Sequence, residues 1–438
     1  MAESATRPVD RALDAWADGD HDGALRWAVP VLEAQLDSAL ALFATAYLGA
    51  KLGEPKAFEL GLKLAAHQAV DLGNLPLAVA VGSLTRDLGL DPSGIFDAVA
   101  AAYARGSSRI KHRAPPALPA PGPDVRQLLL TGKPLLERAL AAVEKAIEHI
   151  EAKRDPKSPL PAAPLFSSLD RASLRAFIEI FETQLFAAKA TVVEEGALGS
   201  EAFVVARGEL DVTKRSPGAG TPVHVARLGG GTLVGEMALL SRAPRAATVS
   251  TAVSTVLLVA SKKALDAAVT KSPELGREFA EHCRRRMLDN LVKTSPILRS
   301  VNPAERGELV HRFAIRAFEP GERLVTQGQP SEGLFLVASG EVSIVQNDAA
   351  GEKTVVARLG SGEVLGEVAL VLRRPAIADV IANHPTVTLF LPRDRFLQAV
   401  RAHPMVFVDL YELAARRDDE TSAAAELEAA NLDESVLV

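Results

Sequence analysis

The chain has 438 residues, too many for one ordinary core, and its length predicts about three domains, each able to bury a stable interior. Lys and Arg number 49 against 55 Asp and Glu, a formal charge of -6, so the chain as a whole offers no basic field for nucleic acid or an anionic membrane. The single cysteine, Cys283, rules out an intrachain disulfide and a thiolate-rich zinc site and suits a reducing compartment.

Met1 to Arg11 mixes acidic and polar residues, with no basic stretch leading into an apolar one, so no signal peptide is expected. The most apolar runs, such as Val253 to Ala260, fall far short of the roughly 20 residues that span a bilayer. The expected setting is the cytoplasm, without a membrane span. From Val9 to Tyr103 the chain is rich in Ala and Leu at helical spacing, as in Leu25, Val29, Leu32 and Leu36, with turns at Gly19, Gly53, Gly73 and Gly89. This predicts five or six short helices in an α-helical domain over 1–113. The similar segments Gly19 to Leu25 and Gly53 to Phe58 loosely resemble tetratricopeptide hairpins, and a plain helical bundle is the alternative reading.

Residues 114–123, Ala-Pro-Pro-Ala-Leu-Pro-Ala-Pro-Gly-Pro, cannot hold a helix or a central strand and read as a stiff linker. A helix is predicted over Val125 to Lys153, with an apolar stripe of Leu128, Leu135, Leu136, Leu140, Val143, Ile147 and Ile150. Asp155 to Pro164 forms a second proline-rich break, so that 114–164 reads as linkers around one helix.

An internal repeat follows. Residues 165–260 lie on 297–391 at an offset of 132, falling to 131 after an intervening hairpin. Phe186 then meets Phe318, Gly196 meets Gly328, Gly208-Glu209 meets Gly340-Glu341, Ala226-Arg227-Leu228-Gly229 meets Ala357-Arg358-Leu359-Gly360, and Gly235-Glu236 meets Gly366-Glu367. Within each copy, short apolar stretches between Gly and Pro turns predict a compact antiparallel β-roll, with a helix over Glu274 to Lys293 between the two. The fold class is therefore multidomain α+β, an α-helical N-terminal domain followed by two jelly-roll-like β-rolls flanked by helices. The rolls span 165–293 and 294–417, and an acidic tail covers 418–438.

The first copy reads Gly235-Glu236-Met237-Ala238-Leu239-Leu240-Ser241-Arg242-Ala243-Pro244-Arg245-Ala246-Ala247-Thr248. A glycine lets the backbone come close, a short turn of helix after it offers unpaired N–H groups, and the arginine supplies a planar fork of donors. That combination suits one compact, singly charged phosphodiester. A carboxylate repels phosphate but accepts well from a sugar hydroxyl, so Glu236 suits a ribose 2′-OH.

This stretch closely resembles the phosphate-binding cassette of cyclic-nucleotide-binding domains, found in regulatory subunits of cyclic-AMP-dependent kinase, catabolite activator proteins and nucleotide-gated channels. The resemblance runs from Phe166 to about Arg286, and again from Leu298 to about Val406. It implies that Glu236 binds the ribose 2′-OH, that Arg245 binds the exocyclic phosphate oxygens, and that backbone amides near Gly235, Met237, Ala238 and Ala247 complete the cradle. Ala246 stands where members selective for cyclic GMP often carry Ser or Thr, which makes cyclic AMP the expected ligand and cyclic GMP the lesser one.

The second copy keeps Gly366 and Glu367, but the phosphate arginine has become Ala376 and the next Thr has become Asp379. It is expected to be a degenerate site, with Asp379 adding repulsion against phosphate and neither Arg373 nor Arg374 at the right offset to substitute. The nine histidines are scattered without metal-ligand spacing and no nucleophile motif is present, so neither an enzyme nor a metal site nor a cofactor is expected. The expected function is a cyclic-nucleotide receptor and regulatory protein whose ligand shifts contacts between domains or with a protein partner held by the N-terminal helices. A scaffold with vestigial sites and a kinase regulatory subunit are the alternatives. No Arg-Arg-x-Ser or Arg-Arg-x-Ala pseudosubstrate is seen in the linker, and no DNA-recognition module follows the rolls.

Overall fold

The computed structural model describes residues 8–111, 124–215, 222–240, 244–294, 302, 312–347 and 352–418. The proline-rich segment 114–123 and the acidic tail beyond Asp418 lie outside the described residues. The chain forms two compact units. The first comprises Met1–Glu195, Ser200–Leu239 and Ala247–His282, and the second Gly196–Gly199, Leu240–Ala246 and Cys283–Val438.

The first unit opens with six helices, α1 (Pro8–Ala17), α2 (His21–Ala34), α3 (Ala39–Leu52), α4 (Pro55–Asp71), α5 (Leu75–Asp87) and α6 (Ser93–Tyr103), within the expected five or six. Side-chain oxygens of Asp20, Ser38 and Asn74 accept from the N–H groups of Gly23, Ala41 and Leu77 at 2.8, 3.2 and 3.1 Å. They satisfy donors that a helix start leaves unpaired. Gly73, at φ 83°, ends α4 by letting the Asn74 N–H reach the Ala69 carbonyl at 2.8 Å.

The next helix, α7 (Gly132–Lys153), begins at Gly132 rather than at Val125. Pro134 explains the difference: proline lacks an N–H and is tolerated only in the first turn, so it marks the start. Residues 124–130 run without helix, and the Leu128 N–H donates to the Arg26 carbonyl at 3.0 Å. α7 packs along α2, α3 and α4 through Leu135, Ala139, Ala142, Val143, Ala146 and Ile150.

After a 3₁₀ turn, Phe166–Ser168, and α8 (Arg171–Ile178), the first roll is built from two four-stranded antiparallel sheets. One orders β1 (Glu182–Phe186), β8 (Thr255–Ser261), β3 (Glu201–Arg207) and β6 (Leu233–Val234). The other orders β2 (Thr191–Val193), β7 (Thr248–Thr251), β4 (Leu210–Lys214) and β5 (Val223–Leu228). Val193, Phe203, Val205, Leu210, Val249 and Leu257 fill its core. Short helix α9 (Met237–Leu240) lies between β6 and β7, and α10 (Lys262–Lys271) and α11 (Pro273–Thr294) follow β8.

The helices and the first roll are packed together. Leu75 to Thr85 of α5 are all buried, because α5 meets α4 and α6 and also β1, β3 and β8. That stretch carries no charge, as a helix enclosed all round requires. Arg207 of β3 pairs with Asp10 of α1 and donates to the Ser254 carbonyl at 3.0 Å, while the Ser254 hydroxyl bonds Asp14. Arg86 of α5 donates to the carbonyls of Glu179 and Phe181 at 2.8 and 3.0 Å.

The second unit repeats the roll. Its sheets are β9 (Ala314–Phe318), β16 (Thr386–Pro392), β11 (Gly333–Ser339) and β14 (Val364–Leu365), and β10 (Arg323–Val325), β15 (Asp379–Ala382), β12 (Val342–Asn347) and β13 (Lys353–Leu359). The strand orders match those of the first roll position for position. Helix α12 (Glu367–Val371) follows β14, α13 (Arg393–Ala402) follows β16, and a last helix, α14, spans 404–418. No helix among the described residues is long and apolar enough to cross a membrane.

Candidate functional site

In each roll a glycine turns the chain out of its short strand into the cassette helix. Gly235 has φ 78° and Gly366 has φ 81°, a left-handed conformation that side chains resist. At Gly366 a Cβ would stand 2.7 Å from the Gly333 carbonyl oxygen and 2.8 Å from the Ser331 hydroxyl, so only glycine fits. The glutamate that follows is carried inward. Glu236 is 6% exposed and Glu367 is 2% exposed, and they are the only buried glutamates among the described residues. Burying a carboxylate is costly without partners, so its repetition at this one position marks a site rather than a surface.

Beyond Glu236, the cassette helix is closed by the Leu239 N–H on the Glu236 carbonyl at 3.1 Å, and Lys262 at the head of α10 donates to the Leu239 carbonyl at 3.0 Å. Met237 is half-buried and Ala246 is exposed. Ala247 leads into β7, where the Thr248 hydroxyl accepts from the Glu195 N–H at 3.0 Å.

Arg245 sits in a defined backbone seat. Its N–H donates to the Ala197 carbonyl at 2.9 Å, and its carbonyl accepts from the Gly196 N–H at 2.9 Å. Ala376 makes the same pair of bonds, to Gln329 at 2.9 Å and from Gly328 at 2.8 Å. The two positions are thus structurally equivalent, and the second roll carries a methyl where the first carries a guanidinium. The Arg245 side chain lies flat against Gly199, where a Cβ would come within 2.4 Å of its Nη2 and 2.6 Å of its Nε. The repeat puts Ser331 at that position in the second roll, where no arginine needs the space.

In the second roll Gly366, Glu367 and Ala376 line one cavity of about 220 Å³, walled by apolar side chains such as Val325, Ile344 and Val380. Ala376 is buried within the apolar core cluster. The cation there comes from elsewhere: Arg417 of α14 donates to Glu367 Oε1 at 2.7 Å, to Glu363 Oε2 at 2.6 Å and to the Val364 carbonyl. Burial pushes the Glu367 carboxyl above its ordinary range, and the charge and hydrogen bond of Arg417 pull against that shift. Arg417 gave no sequence signal, since it lies far along the chain from the cassette and outside any repeat match.

Asp379 is engaged with its own backbone and side-chain neighbours. Its carboxylate accepts from the Gln327 N–H at 2.8 Å and from Asn347 Nδ2 at 3.1 Å, with Arg323 at 3.4 Å. It takes the place of the Thr248 hydroxyl of the first roll as a turn clamp. Arg373 is exposed and Arg374 pairs with Asp418, so neither replaces the missing arginine. Arg105 and Arg109 are in ion pairs with Glu274 at 2.7 Å and Asp71 at 2.9 Å. No group of three metal-ligating side chains occurs among the described residues.

The family profile described as cyclic nucleotide-binding domain matches twice, over 183–272 and 315–403. The cAMP-dependent protein kinase regulatory subunit of Yarrowia lipolytica is 31% identical over 53% of this chain and 57% of its own length. That of Blastocladiella emersonii is 30% identical over 50% of this chain and 52% of its own. The match thus spans about half the length of these curated relatives. The solved regulatory domain of Toxoplasma gondii PKA with cAMP is 27% identical, covering 58% of this chain and 92% of that one, with a TM-score of 0.29. The chain carries two cyclic nucleotide-binding domains in tandem, similar over that region to regulatory subunits of cAMP-dependent protein kinase.

Proposed function

We propose that the chain is a cyclic-AMP receptor in which the first roll binds the nucleotide and the second does not bind it. Glu236 takes the ribose 2′-OH, Arg245 takes the exocyclic phosphate oxygens, and the amides of Gly235, Met237, Ala238 and Ala247 complete the cradle. The observation that carries this reading is the shared backbone seat of Arg245 and Ala376, beside the two buried glutamates that follow left-handed glycines. One roll keeps both halves of the ligand chemistry, and the other keeps only the carboxylate. Ala246 supports cyclic AMP over cyclic GMP, because it offers no hydroxyl to a guanine base.

The output is regulatory. The helical domain is packed on the first roll, and Arg105 at the end of that domain pairs with Glu274 in the first turn of α11. Ligand-driven movement of the roll or of α11 would be felt by the helices, which supply the partner surface, to the extent that the ligand prefers one state over the other. The similarity to regulatory subunits of cAMP-dependent protein kinase favours a kinase catalytic subunit as the partner, and co-purification of such a subunit, released by cyclic AMP, would establish it.

Calorimetry with cyclic AMP and cyclic GMP on the native chain, Arg245→Ala and Glu236→Ala tests the receptor. One site that is lost in Arg245→Ala is expected. No heat from either nucleotide in a correctly folded chain would leave a helical scaffold carrying two silent rolls.

A further inference from the structure

The second roll is not simply a filled-in copy. Its cavity of about 220 Å³ exceeds the roughly 150 Å³ that accommodates a benzene ring in a protein interior, room for a compact ring compound. Its walls are mostly apolar, and its one buried carboxylate, Glu367, is held at the cavity by the left-handed turn at Gly366. The charged side chains that line the cavity among the described residues are Glu367 and Arg417, which pair with each other, and Arg417 also pairs with the more exposed Glu363. Where the first roll has its phosphate arginine, the second has Ala376, 8% exposed and packed with Val325, Phe335 and Val380. An entering phosphodiester would meet a guanidinium already engaged by two carboxylates and, at 376, an apolar wall.

We infer that the second roll binds an uncharged nucleoside, the cyclic nucleotide stripped of its charge, with the ribose hydroxyls on Glu367 and the base against the apolar walls. A carboxylate offers about four lone-pair directions, so Glu367 keeps acceptor capacity beyond Arg417. The sugar-binding carboxylate and a cavity are retained, and only the phosphate cation is gone. The inference rests on the reading that the cassette glutamate takes ribose hydroxyls, which it shares with the first roll.

The test is calorimetry on the full chain carrying Arg245→Ala, which suppresses the first site, with adenosine and cyclic AMP as probes that share base and ribose and differ in charge. Adenosine should bind at one site per chain, at least about tenfold more tightly than cyclic AMP. Glu367→Gln should weaken it at least about tenfold. Ala357→Phe, which adds a ring to the cavity wall from edge strand β13, should abolish it. The inference is overturned by the absence of adenosine binding, by adenosine binding that both cavity variants leave unchanged, or by equal binding of the two probes. Its failure is separable from failure of the receptor reading, because the latter is read from the loss of cyclic AMP binding between the native chain and Arg245→Ala, which leaves the second roll unchanged.

Discussion

Arg245 and Ala376 share one backbone seat, so the difference between the rolls reduces to a side chain and the room made for it. Arg245→Ala should weaken cyclic AMP by about 2–5 kcal/mol, roughly thirtyfold to several-thousandfold, since it removes one partner of a charge pair. Gly199→Val reaches the same group by crowding. The obstructed atoms are the tip of a flexible side chain, so the fold should survive while the displaced guanidinium costs at least about tenfold in affinity by calorimetry. Glu367 makes a prediction about pH. Its pKa is raised in the folded chain, so its contribution to stability is full below the unfolded value near 4.5 and is lost as pH rises through the folded value. Denaturant unfolding between about pH 4 and pH 8 should therefore find the native chain and Glu367→Gln alike in acid, with the native chain falling behind as pH rises. The cassette residues were legible in the sequence because glycine, glutamate and arginine are close together there and each has a chemical reason to be present. Gly199 and Arg417 were not, because one acts by lacking a side chain and the other arrives from a distant helix.

At the scale of elements, the roll strands could be read from short apolar runs between glycine turns, and the repeat reinforced every one of them. The helices were legible in number, and Pro134 held the correct start of α7 for a reader who weighed it above the apolar residues before it. What the local pattern concealed was the use of α5. Its charge-free stretch from Leu75 to Thr85 looks like one more Ala-rich helix, yet the absence of any polar face already requires cover all round. Val79→Asp should bury an uncompensated charge there at a cost of several kcal/mol. Far-UV circular dichroism and cyclic-AMP binding should be lost together, because the helices and the first roll share that packing. Had the helices been an independent domain, binding would persist after the helical signal is reduced.

For the whole molecule, one module occurs in two tandem versions, and the N-terminal helices belong to the unit that carries Glu236. Ligand binding to the folded state adds about 2.7 kcal/mol at one hundred times Kd. Calorimetric melting of the native chain with saturating cyclic AMP should raise a transition temperature, and the Arg245→Ala chain should show no such shift. The sequence yielded the tandem arrangement because a duplicated module leaves matching residues in order. It did not yield the two-unit division, because a proline-rich segment marks a break in secondary structure and not a break in packing.

The exchange of Gly199 for Ser331 couples two positions across the rolls. In the first roll a side chain at 199 would crowd the Arg245 guanidinium. In the second the Ser331 hydroxyl stands at the matching position and donates to the Gly333 carbonyl at 2.7 Å. An arginine placed at 376 would therefore need a glycine at 331 to lie as Arg245 does, so the two substitutions form one unit of design for anyone who would give the second roll the chemistry of the first.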